Sequence, residues 1–165
     1  MSGGHHWRVA ARFECVTDLP MTPAEAFDLS LSVEAHLESM ASSGERAEGD
    51  ITTGTLRLGD EVTWRAWHFG VPWRLTSRIT TFERSHRFVD EQVRGPFRRF
   101  RHEHLFTATG DGTRMVDVVE FEAPAGVAGR IAERLVLARY LRRLIEVRNQ
   151  YLAGHQTSGG AQPVR

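Results

Sequence analysis

Apolar and polar residues alternate through positions 5 to 16, HHWRVAARFECV. His5, Trp7, Val9, Ala11, Phe13 and Cys15 fall on one side, and His6, Arg8, Ala10, Arg12 and Glu14 on the other. A period of two with one polar side predicts a strand with a solvated face. The period then changes. In TDLPMTPAEAFDLSLSVEAHLESM, Thr22, Pro23 and Glu25 compose a capping box with proline at the first helical position, and Ser32 can cap a second helix ending near Met40. Residues 41 to 55 are small and polar, which predicts a loop with one short edge strand between Arg46 and Ile51.

Five segments rich in aromatic and β-branched residues follow: Glu61 to Phe69, Trp73 to Phe82, Phe88 to Arg94, Phe97 to Thr107 and Thr113 to Ala123. The breaks between them, GVP, ERSH, GP and TGDG, are too short for anything but antiparallel neighbours. Residues 127 to 153 carry the longest helical pattern, closing at Gly154. Leu137, Ala138, Tyr140, Leu141, Leu144, Ile145, Val147, Tyr151 and Leu152 make its apolar arc; Arg139, Arg142, Arg143 and Glu146 lie opposite. Upstream of Val136 the arc, marked by Ile131 and Leu135, turns away, which predicts a bend or a separate first turn. The tail from 154 to 165 is expected to be disordered, leaving residues 1 to 153 as a single domain. A sheet must cover its apolar side, and only the last helix is long enough to do so. The predicted class is α+β: a curved antiparallel sheet of about six to seven strands around a long C-terminal helix, with a hollow between them.

Turn lengths decide which side chains face that hollow. A two-residue turn at Gly70-Val71 sets Trp64, Ala66 and His68 opposite Ser77, Leu75 and Trp73. A four-residue turn over Glu83 to His86 brings Phe88, Asp90 and Gln92 to the side of Ile79 and Ser77. Phe100, His102, His104 and Phe106 share one face, with Arg99, Arg101 and Glu103 on the other. A two-residue turn at Gly95-Pro96 would instead align Val89 and Glu91 with His102 and Phe100, so the register of residues 88 to 104 stays open. In the last strand Met115, Asp117, Val119 and Phe121 are expected inward. Arg148 falls inside the helix's apolar arc; it either snorkels outward or pairs with a ligand acid, Asp90 or Asp117.

This order of elements, with VTWRAWHFGVPWRLTSRI, HRFVDEQVRGPFRRFRHEHLF, GDGTRMVDVVEFEAP and the arginine-rich final helix, resembles the START-like superfamily, also called SRPBCC or helix-grip. The resemblance covers about residues 6 to 153 and is nearest to bacterial polyketide cyclase/dehydrase-like ligand-binding proteins. It is specific for fold and weak for activity, because the superfamily mixes lipid carriers, hormone receptors and cyclases. It implies a cavity, and no required metal.

Composition adds limits. The 165 residues suit one core, and the 21 basic residues are all arginine, balanced by 21 acids. Residues 1 to 60 hold four arginines and ten acids, the remainder seventeen and eleven, so the two parts are expected to pair in the fold or, less simply, to meet an anionic partner. A single cysteine, Cys15, and an N-terminus without an apolar run lead to the expectation of a cytoplasmic protein; no segment reaches the length of a membrane span. Arg98, Arg99 and Arg101 between Phe97 and Phe100 resemble a nucleic-acid platform, yet the alternation separates arginines from Phe100, and no nucleic acid is expected. Zinc would need His68 to join His102 and His104; no carboxylate or thiol completes a recognisable motif, so no metal and no cofactor are expected.

The expected function is binding of a hydrophobic or aromatic small molecule between sheet and helix. Trp64, Trp73, Phe100 and Phe106 would supply walls, and His68, Asp90, Gln92, His102, His104, Asp117, Tyr140 and Arg148 polar contacts. The alternative is a cofactor-independent cyclase or dehydratase with His102 or His104 as general acid/base and Tyr140 donating to a developing enolate. A third class is an interaction module using the arginine surface. A homodimer is left open.

Overall fold

The computed structural model describes residues 11–122 and 130–155, with side chains of the last helix described from Leu135 onward. His5, Trp7, Val9, the residues just before the last helix and the tail after His155 lie outside the described residues. The first strand, β1, runs Ala11–Leu19 and alternates as its sequence requires: Phe13 and Cys15 are buried while Arg12 and Glu14 are exposed. Helix α1, Pro23–Ser30, begins in the predicted capping box, Thr22 accepting from the Glu25 amide at 3.3 Å and Glu25 returning the bond to the Thr22 amide at 2.8 Å. Helix α2, Val33–Ser39, is capped by Ser32, whose hydroxyl accepts from the Ala35 amide at 3.2 Å. After a 3-10 turn at Ala41–Ser43 comes the short edge strand β2, Arg46–Glu48.

The remaining strands are β3 Glu61–His68, β4 Val71–Glu83, β5 Arg87–Arg94, β6 Arg99–Thr109 and β7 Gly112–Glu122, followed by helix α3, Arg130–Gly154. The seven strands among the described residues form one antiparallel sheet in the order β1-β7-β6-β5-β4-β3-β2, so the chain returns β7 beside β1. Between Arg130 and Gly154 α3 is a single continuous helix, without a separate first turn. Two cores fill the space between helices and sheet. One gathers around Phe27 of α1, which meets Phe82, Phe88 and Phe106 edge-on at 5.1 to 5.5 Å. The other joins Phe13, Phe97, Phe100 and Phe121 to Leu141 of α3.

Register differs from the simplest turns, for identifiable reasons. The β3–β4 turn is Phe69-Gly70 rather than Gly70-Val71, with φ of 54° and 73°, the double positive φ of a type I′ hairpin. Trp64 therefore pairs with Leu75 and Ala66 with Trp73. This is a two-residue shift, so every side chain keeps its predicted face. Between β4 and β5 the turn has three residues, with Ser85 at φ 65°, and an irregularity between Ile79 and Thr81 sets Ile79 against Asp90 and Ser77 against Gln92, which keeps all four on the predicted side. The β5–β6 connection is wider than a Gly95-Pro96 turn. Gln92 spans it, its amide donating to the Phe97 carbonyl at 2.7 Å and accepting from the Phe97 amide at 3.2 Å. The result sets Asp90 against His102 and Phe88 against His104, which settles the open register.

On the outer face, Arg98 and Arg99 lie near glutamates of neighbouring strands, Glu122 and Glu91, at 3.6 and 3.7 Å, and Arg101 lies 3.0 Å from Glu103 of its own strand and 3.8 Å from Glu120 of β7. The opposed charges of the two parts of the sequence meet too: Arg114 binds Asp18 at 2.9 Å and Arg84 binds Asp28 at 2.7 Å. No helix among the described residues is long and apolar enough to cross a membrane.

Candidate functional site

Between the two cores, where neither α1 nor the middle of α3 fills the concave side of the sheet, a cavity of about 820 Å³ remains, counted to its open mouth. Its walls are Trp64, Ala66, Trp73, Leu75, Phe97 and Phe100 from the sheet and Leu141, Leu144 and Ile145 from α3. A second, smaller hollow of about 500 Å³, also counted with its opening, lies toward α1 and shares Trp64, Asp90, His102 and Arg148 with the first. Asp90 and His102 thus stand where the two meet.

That junction is the polar centre of the protein. On β6 the two-residue spacing puts His102 and His104 on one face with ring centroids 3.8 Å apart, and both rings are buried. β7 supplies Asp117 from one side and β5 supplies Asp90 from the other. His102 Nε2 donates to Asp117 Oδ1 at 2.9 Å, and His104 Nε2 lies 3.1 Å from Asp90 Oδ2. His104 Nδ1 comes within 2.8 Å of Asp117 Oδ1 but out of line, so that nitrogen makes no hydrogen bond. Phe88 stacks on His104 at 4.0 Å and closes its far side.

Helix α3 completes the cluster. Arg148 is buried, as the paired alternative required: its Nη1 lies 3.7 Å from Asp117 Oδ1, and its Nη2 donates to the Ser30 carbonyl at 3.2 Å. Asn149 donates to Asp117 Oδ2 at 2.7 Å and to Thr17 at 3.1 Å. Burial alone would raise the Asp117 carboxyl, but hydrogen bonds and charge from both imidazoles outweigh it and hold the group well below the ordinary value. Asp90 is likewise lowered, burial being outweighed by His104, His102 and Arg148. Burial, and then the neighbouring His104, push His102 below its ordinary value against the pull of the two carboxylates.

At the other end of the cavity, His68 Nδ1 and the Tyr140 hydroxyl are 2.6 Å apart, joining the β3–β4 hairpin to α3. Burial lowers His68 and raises Tyr140, while Glu45 raises both. The ring of Tyr140 also lies 4.4 Å from that of Phe69.

The sequence-derived residues divide accordingly. Trp64, His68, Trp73, Asp90, Phe100, His102 and Arg148 line the main cavity; His104 lines only the smaller one. Asp117 is wholly enclosed behind the imidazoles, and Tyr140 hydrogen-bonds His68 without lining the cavity. Two expected contacts lie elsewhere: Gln92 is consumed in bracing the β5–β6 loop, and Phe106 packs on Phe27 in the core. His68 does not join the histidine pair; the third member of a possible metal-ligating group is Asp90. Three participants were not anticipated. His36 of α2 stacks on Trp64 at 4.0 Å and sits 3.2 Å from Glu45, both lining the cavity, and Asn149 anchors Asp117. Asn149 had a signal, standing four residues after Ile145 and three before Leu152 on the inward side of the helix. His36 and Glu45 had none, because α2 and its following loop reach the cavity only through tertiary packing.

Against known families, the sequence profile described as "Polyketide cyclase / dehydrase and lipid transport" matches residues 10–155. The chain belongs to this family. Its fold is correspondingly START-like. An aromatase/cyclase from Streptomyces superposes with a TM-score of 0.69 at 13% identity, covering 87% of this chain and 90% of its own. A START superfamily protein from Mycobacterium smegmatis gives 0.65 at 10% identity, over 86% and 96%. Major latex-like protein 151 from Panax ginseng gives 0.57 at 13%, over 84% and 97%. Among curated proteins none matches. At such identities the structural likeness establishes the fold, while activity must be argued from the site.

Proposed function

We propose that this family member binds a hydrophobic or aromatic small molecule in the cavity between sheet and α3. The observation carrying this reading is the arrangement of the cavity itself. Aromatic and aliphatic walls surround a few convergent polar groups, the make-up usual for small-molecule sites. Trp64, Trp73 and Phe100 offer flat surfaces for an aromatic or polyene body. Asp90 and His102 stand at the inner end, where a ligand hydroxyl or carbonyl would find an acceptor and an imidazole; His68 and Glu45 serve the outer end.

A second reading, a cyclase or dehydratase acting by acid/base chemistry, is favoured by one observation: the cavity-lining His102 is oriented by the enclosed Asp117 at 2.9 Å. An imidazole held in one tautomer near neutrality can move a proton beside a carbonyl. His104 is the weaker base candidate, since it lies behind Asp90 and away from the main cavity.

Mass spectrometry tests both. Native spectra of freshly purified protein should carry a stoichiometric apolar adduct, or acquire one on incubation with an aromatic polyketide. Under the second reading a poly-β-ketone should leave as a product lighter by water, and His102→Ala should stop this. Spectra of bare protein under all of these conditions would overturn the binding reading.

A further inference from the structure

We propose that Asp90, His102 and His104 form a binding site for a divalent transition metal, with Asp117 as the carboxylate that orients both imidazoles. The expectation of no metal rested on the family resemblance and on the lack of a thiol or carboxylate to complete a recognisable motif. β5 supplies the carboxylate. One ligating atom from each of the three residues lies within 4.8 Å of the other two. Asp90 Oδ2 is 3.1 Å from His104 Nε2 and 3.8 Å from His102 Nδ1. Donors bound at zinc's usual bond lengths in a tetrahedral shell stand about 3.4 Å apart, so the measured separations straddle the required value.

The far side of each ring carries the second argument. His102 Nε2 and His104 Nδ1 both turn toward one oxygen of Asp117, at 2.9 and 2.8 Å. A carboxylate behind a ligating imidazole fixes its tautomer and ring orientation, and here one carboxylate serves two rings. Asp117 is itself held by Asn149 and lies beside Arg148. His104 Nδ1, fully buried and without a hydrogen bond, is the atom this arrangement leaves unsatisfied.

Lone pairs make the same point. A neutral His104 carries one N–H, yet each of its nitrogens faces a carboxylate oxygen, at 3.1 and 2.8 Å. With the ring neutral, one of those contacts sets a lone pair against an anion, and a second positive charge, a proton or a bound metal, relieves it. A cation on the Asp90 side removes the conflict: Nε2 ligates, and Nδ1–H turns into line with Asp117. Charge agrees, because Asp90 and Asp117 outnumber Arg148 by one before any metal enters. Two imidazoles and one carboxylate suit zinc or ferrous iron and leave coordination positions for water or a ligand oxygen. Those positions would open where the two hollows meet, since Asp90 and His102 line both.

The test uses full-length protein stripped by chelator, in a H5A/H6A background so that the adjacent N-terminal histidines do not compete, with no organic ligand added. Zinc titration against a chromogenic chelator should give one site per chain. H102A, H104A and D90N should each weaken it at least 100-fold, and D117N about 10- to 100-fold, the effect of losing an outer-shell partner. Cobalt bound in its place should show visible absorption that D90N alters, a readout independent of stability; circular dichroism checks each variant's fold, and D90N keeps the side-chain shape. Absence of a stoichiometric site, or binding undiminished in folded D90N and H102A, overturns the proposal. Because no organic ligand is present, that failure leaves the small-molecule reading standing.

Discussion

His68 shows how one side chain can be tuned by position alone. Sheet register turns it inward, burial then makes its charged form costly, and the Tyr140 hydroxyl occupies Nδ1 at 2.6 Å. A phenol that burial keeps protonated donates, so the neutral imidazole accepts at Nδ1 and carries its proton on Nε2. Because the folded-state value is depressed below the ordinary 6.5 of histidine, the neutral ring contributes stability that is fully present above that pH and is lost as pH falls through the folded value. An NMR titration should place the His68 midpoint below 6.5, and Tyr140→Phe should change it while leaving the fold intact; a midpoint at or above 6.5 would contradict the assignment. Among single residues, the inward set Phe100, His102, Met115, Asp117 and Val119 was legible from alternation, since half-buried strands impose a period of two. Gln92 was not, because a side chain that braces its own loop looks in sequence like any other inward polar residue.

Elements were set by local signals and corrected by backbone detail. The capping box at Thr22, the Ser32 cap, the strand count and the long helix follow from residue pattern. The turn at Phe69-Gly70 does not, since it asks a phenylalanine to take positive φ, which packing against Tyr140 and Trp73 supports. Nor was the irregularity near Thr80 legible, although its effect on register cancels that of the shorter turn. Gly112, at the start of β7, marks the tightest backbone approach at a glycine among the described residues: its φ is 153°, and a Cβ there would stand 2.1 Å from the Leu19 carbonyl oxygen. Gly112→Ala is therefore expected to cost about 2 kcal/mol or more and lower Tm by roughly 5 °C. Gly110→Ala, with nothing within 4 Å of the added carbon, is the control. Equal melting of the two variants, measured by calorimetry, would show that β1 and β7 give way at no cost.

At the scale of the whole molecule, the curved sheet and α3 meet at both ends and leave a hollow between, where two cores stop short of each other. Apolar burial drives the ends together, and the ion-paired cluster of Asp90, His102, His104, Asp117 and Arg148 occupies the junction between them. Ala66 is the small residue on which the open space depends, opposite Trp73 on the cavity wall. The most direct measurement is the affinity of an environment-sensitive apolar dye for wild-type protein and for Ala66→Phe. The account predicts saturable, near one-to-one binding that falls at least tenfold in the filled variant, with circular dichroism unchanged. Dye affinity unaltered by Ala66→Phe in a folded protein would place the apolar site somewhere other than this cavity.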